Sequence, residues 1–252
     1  MKTAAKLFRF DDALLPNLLA WGYMFSTYFF GFAAILADSL WLNAAGVLLL
    51  AHSMVIAAYF IHECAHESLF KKSRHNRMFG ELLLWLTCAS YSDYRAVQHK
   101  HVRHHMDRAD IVSFDFRTRL QTYPNALKLI NALEWFYIPA LELMMHGLVL
   151  VLPFVKESRK KLRTRIITVV ILRIAFFALL AGISWKVLLL YPIAYMLFLT
   201  VMRFMDVHQH TYDLYETLDQ PSGDEVKQYD GAFEKRNTFS NVLSLKYPWL
   251  NL

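Results

Sequence analysis

Two uncharged apolar stretches separated by only two residues, Leu18–Ala37 and Leu40–Ile61, constrain this chain more than any other feature. Each has the length of about 20 residues that a helix needs to cross the hydrocarbon core of a bilayer. Backbone amides in lipid must be satisfied within the segment, and uninterrupted runs of this length do so as helices. With only Asp38 and Ser39 between them, the two read as a helical hairpin. Ile166–Trp185 and Val187–Met205 form a second pair around a turn at Lys186. Arg173 interrupts the third run, and a charge there is costly in lipid. It is expected to snorkel, to pair with another helix, or to mark a later start of the span. Pro192 is expected to kink the last span, which neighbouring helices tolerate.

The composition agrees: 56% of residues are hydrophobic and 15% aromatic, above the usage of soluble domains. The net charge of +6 raises nucleic-acid binding as a possibility. However, the excess sits in Lys71–Arg77 and Lys156–Arg165, both abutting apolar runs, and the positive-inside rule accounts for it without a nucleic-acid partner. That rule predicts four spans, with both termini, the basic blocks and the histidine clusters described below on the cytoplasmic side. Cys64 and Cys88 make neither a disulfide framework nor a CxxC site, and Cys64 reads as a packing residue. The basic start (Lys2, Lys6, Arg9) precedes an apolar run too long for a cleavable signal peptide, and no lipidation motif stands out. The fold class is therefore all-α and integral to the membrane.

Between the hairpins, Phe79–Tyr91 is apolar but too short to span, which predicts an interfacial helix. Tyr94–Arg119 is charged and must face water or the protein interior. Asn125–Val155 predicts an amphipathic helix on the bilayer, broken near Pro139 and Pro153, with a third span as the alternative. Residues 1–252 read as a single membrane-embedded domain, with no repeat or linker.

Chemistry enters with the histidines. His62-Glu63-Cys64-Ala65-His66 directly follows the second run, and His101-Val102-Arg103-His104-His105 lies some thirty-five residues on. At i, i+4 and at i, i+3, i+4, each cluster shares one helix face. Five imidazoles delivered to one side of a membrane point to a metal. Iron suits such a site, though zinc and copper also accept imidazole. Beyond the last span, Asp206 and His210 share a face if the helix continues, whereas His208 points about 200° away from His210. The same geometry sets His99 off the face of His101. Glu63 and Asp206 are candidates to orient ligands, directly or through water; Glu67, Asp107 and Asp110 share that ambiguity with ordinary surface charge. His52 and His146 read as satisfied core or interface residues, and His75 as part of a solvated basic face.

HxxxH at the end of a second span, followed by HxxHH about forty residues later, resembles the integral-membrane fatty acid desaturase superfamily. His62 and His66 are similar to that family's first histidine box; His101, His104 and His105 are similar to its second. Asp206-xxx-His210 resembles a pair that many members carry after the last span. The resemblance covers nearly the whole chain. The family's third box, HxxHH or QxxHH, is absent here. The closing Tyr247-Pro-Trp-Leu-Asn-Leu252 is similar to what precedes that box, so the ligand set is expected to be cut short and turnover by this fragment is doubtful.

The resemblance implies two iron ions, activation of O2, and oxidation of a lipid acyl chain, with desaturation to a C=C bond as the first choice. A hydroxylase, a carotenoid oxygenase and a fatty acid decarboxylase share the scaffold. Only about seventeen residues precede the first span, too few for a fused redox domain, so an external donor of ferredoxin or cytochrome b5 type is expected. The basic surface offers a docking face for an acidic carrier. Outside the enzyme class, the rival is a histidine-rich membrane metal transporter. Such a protein would place ionisable residues along a path at mid-membrane depth, whereas these histidines, His52 apart, cluster at helix ends. The aromatics Trp21, Tyr23, Phe25, Tyr28, Phe29 and Phe30 would line an acyl channel, or else pack and face lipid.

Overall fold

The structure, a computed structural model, describes residues 7–107 and 120–209. Among them it is helical, with no strand and one isolated bridge between Phe8 and Phe70. The helices are α1 (Leu14–Leu36), α2 (Leu40–Ala65), α3 (Ser73–Leu86), α4 (Tyr94–Asp107), α5 (Pro124–Trp135), α6 (Ala140–Val155), α7 (Arg163–Ile183) and α8 (Val187–Gln209). A 3₁₀ turn, Glu157–Leu162, leads into α7. Four helical stretches are long and apolar enough to cross a membrane: Leu14–Leu36, Leu40–Ala65, Glu157–Ile183 and Val187–Met205. The four expected spans are therefore present. α6 is apolar but only 16 residues long, which removes the alternative of an additional span there.

The helices fall into two compact units, Met1–Arg95 with His146–Leu199 and Ala96–Met145 with Thr200–Leu252. In the first unit, α1 and α2 form the expected hairpin. Ser39 caps α2 by accepting from the Leu42 amide at 3.5 Å. Asn43, one turn further on, donates from Nδ2 to the carbonyls of Ala34 and Ala37 at 2.9 Å, tying the end of α1 to the start of α2. The two helices cross at Gly31 and Gly46. A Cβ on Gly46 would come within 2.8 Å of the Gly31 carbonyl oxygen, so only hydrogen fits. Deeper in the crossing, the Ser53 hydroxyl donates to the Met24 carbonyl at 2.7 Å.

Arg173 is resolved by pairing. Its guanidinium donates to the Trp85 carbonyl and lies 5.2 Å from the centre of the Trp85 ring, so the charge meets a dipole and a π face. The interfacial helix expected over Phe79–Tyr91 instead runs from Ser73 to Leu86. Its polar first turns carry no apolar signal, and Cys88, at φ 58°, turns the chain before Tyr91. The long segment after Asn125 breaks before Pro139, as expected, but Pro153 lies inside the last turn of α6 without breaking it.

In the second unit, Arg203 of α8 forms ion pairs with Glu134 of α5 and, at 3.4 Å, with Glu142 of α6. Glu134 also accepts the Leu141 amide at 2.9 Å, tying the two ends of the break together.

Candidate metal centre

The end of α2 is shaped by its exit. Glu67 takes a left-handed backbone conformation, φ 55°. The amides of Glu67 and Ser68 close back onto the carbonyls of Cys64 and Glu63, at 2.9 and 3.1 Å. Such a closure usually recruits glycine. Here neighbours on both sides hold Glu67: its carboxylate accepts from the Ser73 hydroxyl at 2.9 Å, and its carbonyl from the Arg9 guanidinium at 3.2 Å. Arg9 belongs to a strap formed by the N-terminal segment, whose Arg9 amide donates to the Leu69 carbonyl and whose Leu7 carbonyl accepts from Lys71, both at 3.1 Å. Phe8 is buried beside Trp21 and Phe70 and anchors that strap.

On this frame, the His62 and His66 rings lie 4.6 Å apart between centroids and inclined at 60°. One ring nitrogen of each lies within 4.8 Å of the other's. Two nitrogens about 2.1 Å from one ion are at most about 4.2 Å apart, so small ring rotations bring both onto a shared metal. Nδ1 of His62 is 3.3 Å from Oε1 of Glu63. Donation to that carboxylate leaves Nε2 with the lone pair a metal needs. Ser68 holds the carboxylate in turn: its hydroxyl lies 2.5 Å from Oε2 of Glu63 and 2.9 Å from the Glu63 carbonyl oxygen. Cys64, between the two histidines, is fully buried, in keeping with a packing residue.

The second cluster lies on α4. His101 is half-buried and His99 exposed, which agrees with their expected placement on different faces. Their backbones and those of His104 and His105 are helical. The side chains of His104, His105, Asp206 and His208 lie outside the described residues, as does the whole of His210.

Three histidines stand apart. Nδ1 of His52 takes the Tyr23 hydroxyl at 2.9 Å, a satisfied pair. Nδ1 of His146 sits between the hydroxyls of Tyr91 and Tyr195, the latter at 3.3 Å. Burial holds the His146 imidazole below its ordinary pKa and pushes the Tyr91 phenol up. His75 departs from expectation: it is half-buried, 6.0 Å from the Phe70 ring between centroids, rather than wholly solvated. Trp21 packs in tilted contacts against Phe8, Phe70 and Phe79, while Phe29 and Phe30 are each 68% exposed. At these three positions the aromatics pack or face outward.

Some residues that organise the region carried no sequence signal. Ser68 is one; Glu81 and Arg165 are others. Oε1 of Glu81 accepts the Tyr94 amide at 2.8 Å, and Oε2 accepts the Arg165 guanidinium at 2.8 Å. Their partners lie far off along the chain, and neither falls at a motif spacing.

The family model described as fatty acid desaturase matches residues 39–249 of this chain. No curated protein and no solved structure matches it.

Proposed function

The chain belongs to the fatty acid desaturase family, and on that premise we propose that the full-length gene product oxidises a lipid acyl chain with O2 at two iron ions, introducing a C=C bond. The observation that carries this reading is the His62–His66 pair at the end of a span, with a carboxylate held on His62. In this reading His62 and His66 are ligands, joined by His101, His104, His105 and His210. Asp206 and Glu63 orient ligands or act through water, and His99 and His208 are weaker candidates.

Bound iron supplies the activation of O2 and the removal of hydrogen from an unactivated methylene. The protein's own work is to fix the ligands, keep water away and present one carbon of the chain. The Glu63 carboxylate fixes which His62 nitrogen is free to bind metal, and Ser68 keeps that carboxylate in place. Because the pair ends a membrane-length helix, an acyl chain can reach it directly from the bilayer. Forming the double bond removes two hydrogens from the substrate. Reducing O2 to two waters then needs two further electrons and two protons, so an external ferredoxin or cytochrome b5 type donor is part of the proposal. The histidine clusters and both termini are taken to lie on the cytoplasmic side.

The test is expression of the gene's full-length product in a host of known lipid composition, with iron per chain and lipid mass spectrometry as readouts. We expect iron near two per chain and new unsaturated acyl chains, both lost in His62→Ala and His66→Ala. Iron with hydroxylated or shortened products would keep the scaffold and change the reaction. Zinc in place of iron, with no lipid product, would overturn the proposal in favour of a transporter.

A further inference from the structure

The loop from α3 to α4 is held by Arg165, and Glu81, which pairs with Arg165, also holds the first residue of α4. Arg165, on α7, donates from Nε to the Ser90 carbonyl and from Nη2 to the Ser92 carbonyl, both at 2.9 Å. The same Nη2 pairs with Oε2 of Glu81 at 2.8 Å. The other carboxylate oxygen of Glu81 takes the Tyr94 amide. That amide opens a helix, where unpaired N–H groups and the helix dipole favour negative charge. One carboxylate thus caps α4 and at the same time neutralises the guanidinium that holds the preceding loop. Both side chains are largely buried, with 27% of Glu81 and 31% of Arg165 exposed, so the pair is only partly screened by solvent.

Tyr94 completes the arrangement. Its ring fills the space over Gly80, where an added Cβ would come within 2.3 Å of the ring. The residue is 1% exposed, and its buried hydroxyl has no hydrogen-bond partner among the described residues. Burial pushes the phenol well above its ordinary pKa.

We infer that Glu81, held by Arg165, is a positioning residue for the second histidine cluster: it fixes the first turn of α4, the helix that carries His101. His101 is seven residues beyond Tyr94, about 10 Å or two turns along the axis. His104 and His105 follow on the same helix, which runs from Tyr94 to Asp107. The inference rests on the metal-centre reading for its purpose, though not for its geometry.

Hydrogen exchange and iron content of the full chain, measured together, test it. In Glu81→Ala, the amides of residues 94–101 are expected to exchange about tenfold faster or more, the scale of losing a charge-assisted hydrogen bond. The α1–α2 crossing should exchange as in the wild type. Iron retained under a fixed chelator challenge should fall, and Glu81→Gln, which keeps an oxygen for the Tyr94 amide, should restore part of both. Gly80→Ala displaces the Tyr94 ring with the carboxylate intact and should act in the same direction, which covers the case in which Glu81→Ala does not fold. Wild-type exchange at 94–101 in both variants would overturn the inference, as would faster exchange with unchanged iron retention. A wild-type chain that binds no iron would fail the metal-centre reading, leaving the exchange rates to decide whether Glu81 fixes the helix.

Discussion

Lys186 donates to the carbonyl oxygen of Ala37 at 2.5 Å, joining the turn between α7 and α8 to the turn between α1 and α2. The two residues are 149 positions apart. Their contact puts both short turns at one end of the first unit, the arrangement that hairpins entering from a common side require.

Lys186→Met should therefore loosen the two hairpins. Losing one charged hydrogen bond at a part-buried carbonyl costs about 1–2 kcal/mol, read as a lower melting temperature in detergent. Asp38→Asn should change little, because the Asp38 carboxylate is fully exposed and 3.5 Å from the ammonium.

Glu63→Ala should weaken metal retention without removing a proposed ligand. A carboxylate that orients a metal-bound histidine typically accounts for about 10–100-fold in affinity. Ser68→Ala should give a smaller loss in the same direction. Iron remaining after graded chelator exposure measures both, and equal retention in Glu63→Ala and wild type would remove Glu63 from the centre.

Acid should destabilise the protein through His146. Burial lowers its pKa in the folded state, so between that lowered value and about 6.5 the unfolded chain binds more protons. The contribution is complete above about pH 6.5 and is lost as the pH falls toward the folded value. In melting curves between pH 5 and 8, His146→Gln should show a shallower loss on acidification than the wild type. An unchanged slope would mean that other groups carry the acid sensitivity.

Arg203 should behave as one partner of a triad. Its removal leaves Glu134 and Glu142, 16% and 26% exposed, facing one another's charge without the guanidinium. We expect Arg203→Met to cost about 1–3 kcal/mol, less than a fully buried pair because the arginine itself is 40% exposed. Glu134→Gln in the same chain should recover part of that loss, so the two substitutions should not add. Additive costs would show that the ion pairs contribute independently.

The local and periodic features of this protein are legible in its amino-acid sequence. Apolar length, broken by a charge only at Arg173, settled the four spans, since lipid leaves a backbone no other partners. The i, i+4 spacing put His62 and His66 on one face of α2, and the 200° offset separated exposed His99 from half-buried His101. The helix limits around Ser73 and Leu86 were illegible because a polar first turn and a left-handed Cys88 leave no apolar rhythm. What holds these pieces in place emerges from the packed helices: Ser68 on Glu63, Trp85 beneath Arg173, Ala37 under Lys186, and Glu81 between Tyr94 and Arg165. Most of these contacts are long in sequence, 84 residues from Glu81 to Arg165 and 88 from Trp85 to Arg173. A contact of that kind depends on where whole helices come to rest, and no spacing within a single segment encodes it.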